Sequence, residues 1–195
     1  MRSKQFAVCA IAGLLLGAMA HQARATFTIN IFQNGSDVDA VGSGSFNLSA
    51  LTLGGTDEFS QAAIDGASGV AELGTGGFDQ YSGFTGPSSF GSPDIIGLSS
   101  AAAGPYAGVN DHPRELELPT GYTSGTFFSD SATYSNQTLA TLDLTPGVYD
   151  YTWGSGPTAD SLVVDIGAAP VPEPVSASLV AVGGLLMLRR RRVSR

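Results

Sequence analysis

The sequence predicts an all-β fold, a single antiparallel β-sandwich-like domain flanked by a signal peptide and a C-terminal transmembrane helix. Three observations carry that prediction. Between residues 26 and 169, apolar side chains come in short alternating or aromatic runs bounded by Gly, Asn, Asp, Ser and Pro, the period-2 signature of half-buried strands. Glycine is abundant at 26 of 195 residues and lysine is absent beyond Lys4, a composition that suits turns and strands. The two long apolar stretches stand at the chain ends, so about 145 residues remain between them, enough for one hydrophobic core and too few for two.

The elements can be justified in chain order. Phe27, Ile29 and Ile31 alternate with Thr28 and Asn30 in a first strand, and Asn34-Gly35 reads as a tight turn. A second strand is expected over Val41 to Leu48. Asp57 to Ile64 reads as a short helix or helical turn, with Phe59, Ala63 and Ile64 on one face behind a Thr56 cap. Gly66 to Gly108 is less regular, but its aromatics Phe78, Tyr81, Phe84, Phe90 and Tyr106 argue for strands and long ordered loops, since disordered linkers rarely keep so many. Leu139 to Leu144 reads as a strand, Thr145-Pro146-Gly147 as a turn, and Val148 to Trp153 as a strand with Tyr149, Tyr151 and Trp153 on one face. Gly154 to Asp160 is a loop whose backbone Asp160 is placed to bond, and Leu162, Val164 and Ile166 form the returning strand.

Residues 1–25 have the parts of a secretory leader. Arg2 and Lys4 precede an apolar run from Phe6 to Ala20, and Ala23-Arg24-Ala25 supplies the small residues of a cleavage site. An uncleaved anchor is the alternative, against which the short run and the A-x-A ending weigh. At the other end stand Val171, Pro172, Glu173 and Pro174, an apolar run from Val175 to Leu188, and then Arg189, Arg190, Arg191 and Arg192. Proline stiffens the backbone outside the run, and the arginines hold the far end in the cytoplasm. Fourteen residues at helical rise span roughly 21 Å, short of a ~30 Å hydrocarbon core, and arginine snorkelling makes up part of the deficit. A buried soluble helix is the alternative, but four arginines do not suit its end, and Gly183-Gly184 suits close packing in a membrane.

In order, spacing and charge, residues 170–195 resemble the PEP-CTERM sorting signal of Gram-negative envelope and matrix proteins, a tail also named after an ice-binding protein that ends in it. The resemblance implies processing by signal peptidase and exosortase and delivery to the outer envelope or extracellular matrix, with exopolysaccharide as a partner. It implies nothing about the body. No repeated Thr-x-Thr array supports ice binding, since Thr26-x-Thr28 occurs once. A second block is similar to one that precedes the tail in many PEP-CTERM proteins: Gly121 to Gly125, Leu142 to Tyr149, Tyr151 to Gly156 and Ala159 to Ser161. It implies a shared β domain without an assigned activity.

Charge and residue inventory narrow the chemistry. Only Arg114 among the nine Lys and Arg lies between Thr26 and Pro174, against all 17 acidic residues, a formal −16 for that stretch compared with −8 for the whole chain. Such a surface repels phosphate, which excludes nucleic acid and anionic lipid surfaces as partners of the body. Cys9 leaves with the leader, so the exported chain has neither disulfide nor thiolate site. His112 is the one histidine after the leader. A metal there would draw on Asp111, Glu115 and Glu117, while Asn110 to Arg114 reads equally as a solvated turn with an Arg–Glu pair.

No G-x-S-x-G elbow occurs, and Gly42-Ser43-Gly44 and Gly74-Thr75-Gly76-Gly77 lack the rest of a phosphate or dinucleotide loop. Calcium would find oxygen at Asp37-Val38-Asp39 beside Asn34, or at Asp57-Glu58, without the spacing of a dedicated loop. Those acids read as a solubilising surface. A glycosidase needs two carboxyls, for which Asp57-Glu58 and Glu115-x-Glu117 are adjacent or alternate on a strand. The expected function is therefore a non-enzymatic structural or adhesive surface role, with no catalytic residue, cofactor or metal assigned. The alternatives are a carbohydrate- or calcium-binding module, with Tyr149, Tyr151 and Trp153 as its first candidates, and a small carboxylate-dependent hydrolase.

The leader predicts cleavage after Ala25. Mass spectrometry of the exported protein should find Thr26 at the N-terminus, and a chain that still began at Met1 would refute the cleavage site.

Overall fold

Phe27, Ile29 and Ile31 are fully buried, and their alternation with half-exposed neighbours sets the first strand and its inward face. The computed structural model describes residues 26–92 and 95–170. The leader residues 1–25 and the expected sorting motif, transmembrane helix 175–188 and arginine block lie outside the described residues. Among the described residues no helix is long and apolar enough to cross a membrane.

Thirteen strands are described: β1 (Thr26–Asn34), β2 (Asp37–Gly44), β3 (Thr52–Gln61), β4 (Ala63–Asp65), β5 (Val70–Leu73), β6 (Thr75–Ser82), β7 (Ile96–Leu98), β8 (Ala101–Ala103), β9 (Ala107–Asn110), β10 (Glu115–Pro119), β11 (Phe128–Tyr134), β12 (Gly147–Trp153) and β13 (Asp160–Ile166). They form a six-stranded sheet in the order β12-β13-β1-β2-β11-β8 and a seven-stranded sheet in the order β3-β6-β10-β9-β5-β4-β7. Inward residues of both sheets meet in one hydrophobic cluster, so the body is a β-sandwich-like layer pair.

One ladder departs from the expected antiparallel pattern. β13 runs parallel to β1, with Thr26 opposite Ser161 and Ile31 opposite Ile166, while every other strand ladder is antiparallel. Parallel neighbours need a long connection, and here most of the domain supplies it. Consequently the chain enters at one end of this sheet and leaves at the other.

Three sequence expectations are corrected. The second strand is Asp37–Gly44 and not Val41 to Leu48, because the two-residue turn Gly35-Ser36, with Gly35 at φ +62, starts pairing at Asn34 opposite Asp37. Residues 57 to 64 form strand, not helix. β3 pairs with β6 through two register breaks, and the Thr56 hydroxyl, expected as a cap, donates to Asp79 at 2.6 Å. Cross-strand pairing outweighs a weak helical pattern. Leu139 to Leu144 is a run of turns. Thr138 and Thr141 bond each other's backbone N–H through their hydroxyls, and Asp143 sits at φ +49. Leu142 and Leu144 are nonetheless buried, so the apolar spacing reflects core packing without a ladder.

The link from β2 to β3, where the chain changes sheets, is held unusually well. The N–H of Asn47 donates to the Asp160 carboxylate at 2.6 Å, and the Asn47 carbonyl accepts from the Trp153 indole at 2.8 Å. The N–H of Phe46 donates to the Tyr122 hydroxyl at 2.9 Å, and its carbonyl accepts from the N–H of Gly125 at 2.9 Å. The N–H of Leu48 donates to the Ser124 hydroxyl at 3.0 Å. The Phe46 ring lies 4.7 Å from Phe27 and 6.2 Å from Trp153, stacked on both. Each buried amide that leaves a sheet needs a partner, and these side chains supply them.

Asp160→Ala leaves the amide of Asn47 without its acceptor, so chemical denaturation should show a loss of about 1–3 kcal/mol. Asp160→Asn, which keeps one acceptor oxygen, should lose less. Equal stability of all three chains would contradict the clamp.

Candidate functional site

The sequence-predicted acids serve turns and ladders. Asp39 accepts from the Asn34 amide at 2.7 Å and the Thr133 hydroxyl at 2.8 Å, and Asp37 takes the N–H of Asn136 at 2.8 Å. Asp57 accepts the N–H of Glu58 at 2.8 Å. Around His112, Arg114 pairs with Asp111 at 3.2 Å and not with a glutamate, donates to the carbonyl of Gly86 at 2.8 Å and lies over the Phe84 ring. Among the described residues no three His, Cys, Asp or Glu side chains converge as a metal cluster, so Asp111, His112, Glu115 and Glu117 are not brought together as ligands.

The aromatic candidates point inward. Tyr151 and Trp153 are buried and Tyr149 packs against the core, its ring 5.5 Å from Phe90. The residues that β12 turns outward are Val148, Asp150 and Thr152. A sugar-stacking platform on this strand is therefore excluded by the sheet's own alternation.

Two acidic sites were not singled out from sequence. Glu72 on β5 and Glu117 on β10 both stand opposite Gly108 on the intervening strand, so their side chains share a face with only a hydrogen between them. The two carboxyls are buried and hydrogen-bonded to one another, and Tyr106 contacts both while the Asn110 amide donates to Glu72 at 3.1 Å. Burial is the main cause that raises both groups, and the Glu72 charge adds to it at Glu117, which is pushed up to about 8. The pair thus holds a proton. Carboxyls in contact also leave no room for the sugar and water that a glycosidase pair must straddle. In sequence, Leu116-Glu117-Leu118 looks like an ordinary strand with an exposed acid. Phe78 and Tyr106, whose rings lie 5.0 Å apart, form a second buried aromatic pair outside the central cluster.

Asp130 is the second. On β11 it faces inward with Ala132 and Tyr134, opposite Gly42, and one carboxyl oxygen occupies the space a side chain at 42 would need, beside the Phe27 ring. Neither oxygen makes a well-formed hydrogen bond, and burial pushes the carboxyl up to about 8. An uncharged acid is the form this position accepts.

An open cleft of about 460 Å³ lies at the start of β13, lined by Asp150 and Thr152 to Gly156 together with Ala159, Asp160 and Ser161, with a smaller hollow of about 190 Å³ between Gln61 and Ala102. The larger cleft draws its walls from β12, β13 and the loop between them, and this hairpin together with residues 122–125 supplies Tyr122, Ser124, Gly125, Trp153 and Asp160 to the clamp on residues 46–48. Comparison with protein-family models, curated proteins and solved structures finds no match to this chain.

Glu117 and Asp130 keep protons in the folded chain that the unfolded chain releases near pH 4. Their stabilising effect is full below about pH 4 and is lost as pH rises towards 8. Thermal unfolding should therefore occur several degrees higher at pH 5 than at pH 8, and Glu117→Gln should flatten that slope. An unchanged slope in the variant would assign the effect to general surface repulsion instead.

Proposed function

We propose that this chain is an exported, PEP-CTERM-sorted protein of the cell envelope or extracellular matrix, with a non-enzymatic structural or adhesive role. Signal peptidase removes residues 1–25, exosortase acts on the tail, and exopolysaccharide is the neighbouring material. One observation supports this reading above the rest: the strand that leads into the tail is anchored on both sides. β13 pairs with β12 through seven residues and with β1 through six. A domain held by its C-terminus is loaded through that strand, and two ladders resist peeling better than one.

Eight residues separate Ile166 from the apolar run at Val175, a reach of at most about 28 Å. The body is then held close to the membrane until processing, with the Ile166 end nearest to it. The opposite end, with the start of β1 and the Gly154 to Asp160 loop, faces outward. A second reading, a carbohydrate-binding module, is favoured by the cleft at that outward end.

The arginine block orients the tail. Replacing Arg189 to Arg192 with glutamine should abolish C-terminal retention and processing, seen as a changed mass and a changed distribution between envelope and medium. Fractionation identical to the parent chain would count against sorting by this tail.

A further inference from the structure

We propose that the cleft at the outward end of β12 and β13 is a binding site for a neutral, hydroxyl-rich saccharide chain, recognised directly and without a metal. The inference deepens the adhesive reading above and rests on it for its biological setting. The cleft, about 460 Å³, is within the size range of ligand sites. Its walls are polar: the outward side chains of Asp150 and Thr152 on β12, Ser161 on β13, and the loop with Ser155.

The lining selects among ligand classes. No Lys, Arg or His borders the cleft, which disfavours phosphate, sulfate or uronate groups. Trp153 and Ala159 also border the cleft, but Trp153 is buried with its indole N–H given to Asn47, so no exposed ring offers a stacking platform. The backbone of β12 is already met at Thr152, whose carbonyl and N–H both bond Thr85, which closes that point to strand addition. Asp160 is occupied by the N–H groups of Asn47 and Ser161, which leaves Asp150 as the uncommitted carboxylate, far short of the six to eight oxygens calcium takes. One accepting carboxylate among hydroxyls that both donate and accept matches the donor and acceptor pattern of sugar hydroxyls.

The loop wall is also built in advance. Gly154 stands at φ +67 where a side chain would meet the Thr158 carbonyl, and the Thr158 hydroxyl bonds the N–H and the carbonyl of Ser155 at 3.2 and 3.0 Å. A wall that need not reorder on binding costs less entropy. Its position matters too. Ser161 lies opposite Thr26 and Ile166 opposite Ile31, so the cleft is about 17 Å along the strand from the exit towards the tail.

The test uses the purified exported protein and calorimetric titration with cellohexaose, laminarihexaose and mannohexaose, each with calcium and with chelator. At least one should bind saturably in chelator. Asp150→Ala and Thr152→Ala should each weaken it about tenfold or more, with melting temperatures unchanged, while Asp57→Asn on the other sheet binds as the parent does. Failure of all three sugars, binding that appears only with calcium, or binding indifferent to both cleft variants would overturn the proposal. Because the titration is independent of where the protein resides, a failed sorting experiment leaves this result readable, and the converse holds.

Discussion

The fold depends on how the chain crosses from one sheet to the other at residues 46–48. A strand within a sheet has its amides satisfied by neighbours, but a crossover has no such ladder. Here Tyr122, Ser124, Gly125, Trp153 and Asp160 act as a substitute ladder, contributed by two segments that lie roughly 75 and 110 residues later in the chain. The crossover cannot be satisfied until those segments have arrived.

The parallel pairing of β1 with β13 has the same long-range character. It sets the first strand beside the last and gives the domain two distinct ends, one where the chain enters beside the cleft and one where it departs towards the tail. An antiparallel closure would have brought entry and exit to the same end. The Gly35-Ser36 turn and the turns before Gly147 lie at the Ile166 end, and the Gly154 to Asp160 loop lies at the other.

A body with a formal charge of −16 and one cation carries its acids in two ways. One group accepts backbone or hydroxyl hydrogen bonds, as Asp37, Asp39, Asp57, Asp65, Asp79 and Asp160 do. Asp130 and the Glu72–Glu117 pair instead sit buried beside glycines, where burial raises all three carboxyls and disfavours their charged form.

By itself the sequence determined the strands whose alternation is strong, those beginning at Phe27, Val148 and Leu162, because period-2 burial is a local property. It also determined the turn at Gly35 and that Asp160 would accept backbone N–H groups, though the acceptor reaches Asn47 across the sandwich rather than its own loop. Local pattern misled where a distant partner decides the outcome: residues 57 to 61 became strand because β6 pairs with them and 63 to 64 because β5 and β7 do, and Leu139 to Leu144 became turns because threonine hydroxyls outweighed their apolar spacing. The Glu72–Glu117 pair and the burial of Asp130 had no local signal at all. Each is made by residues far apart in the chain that meet across or beside a glycine, and only the register between strands brings them together.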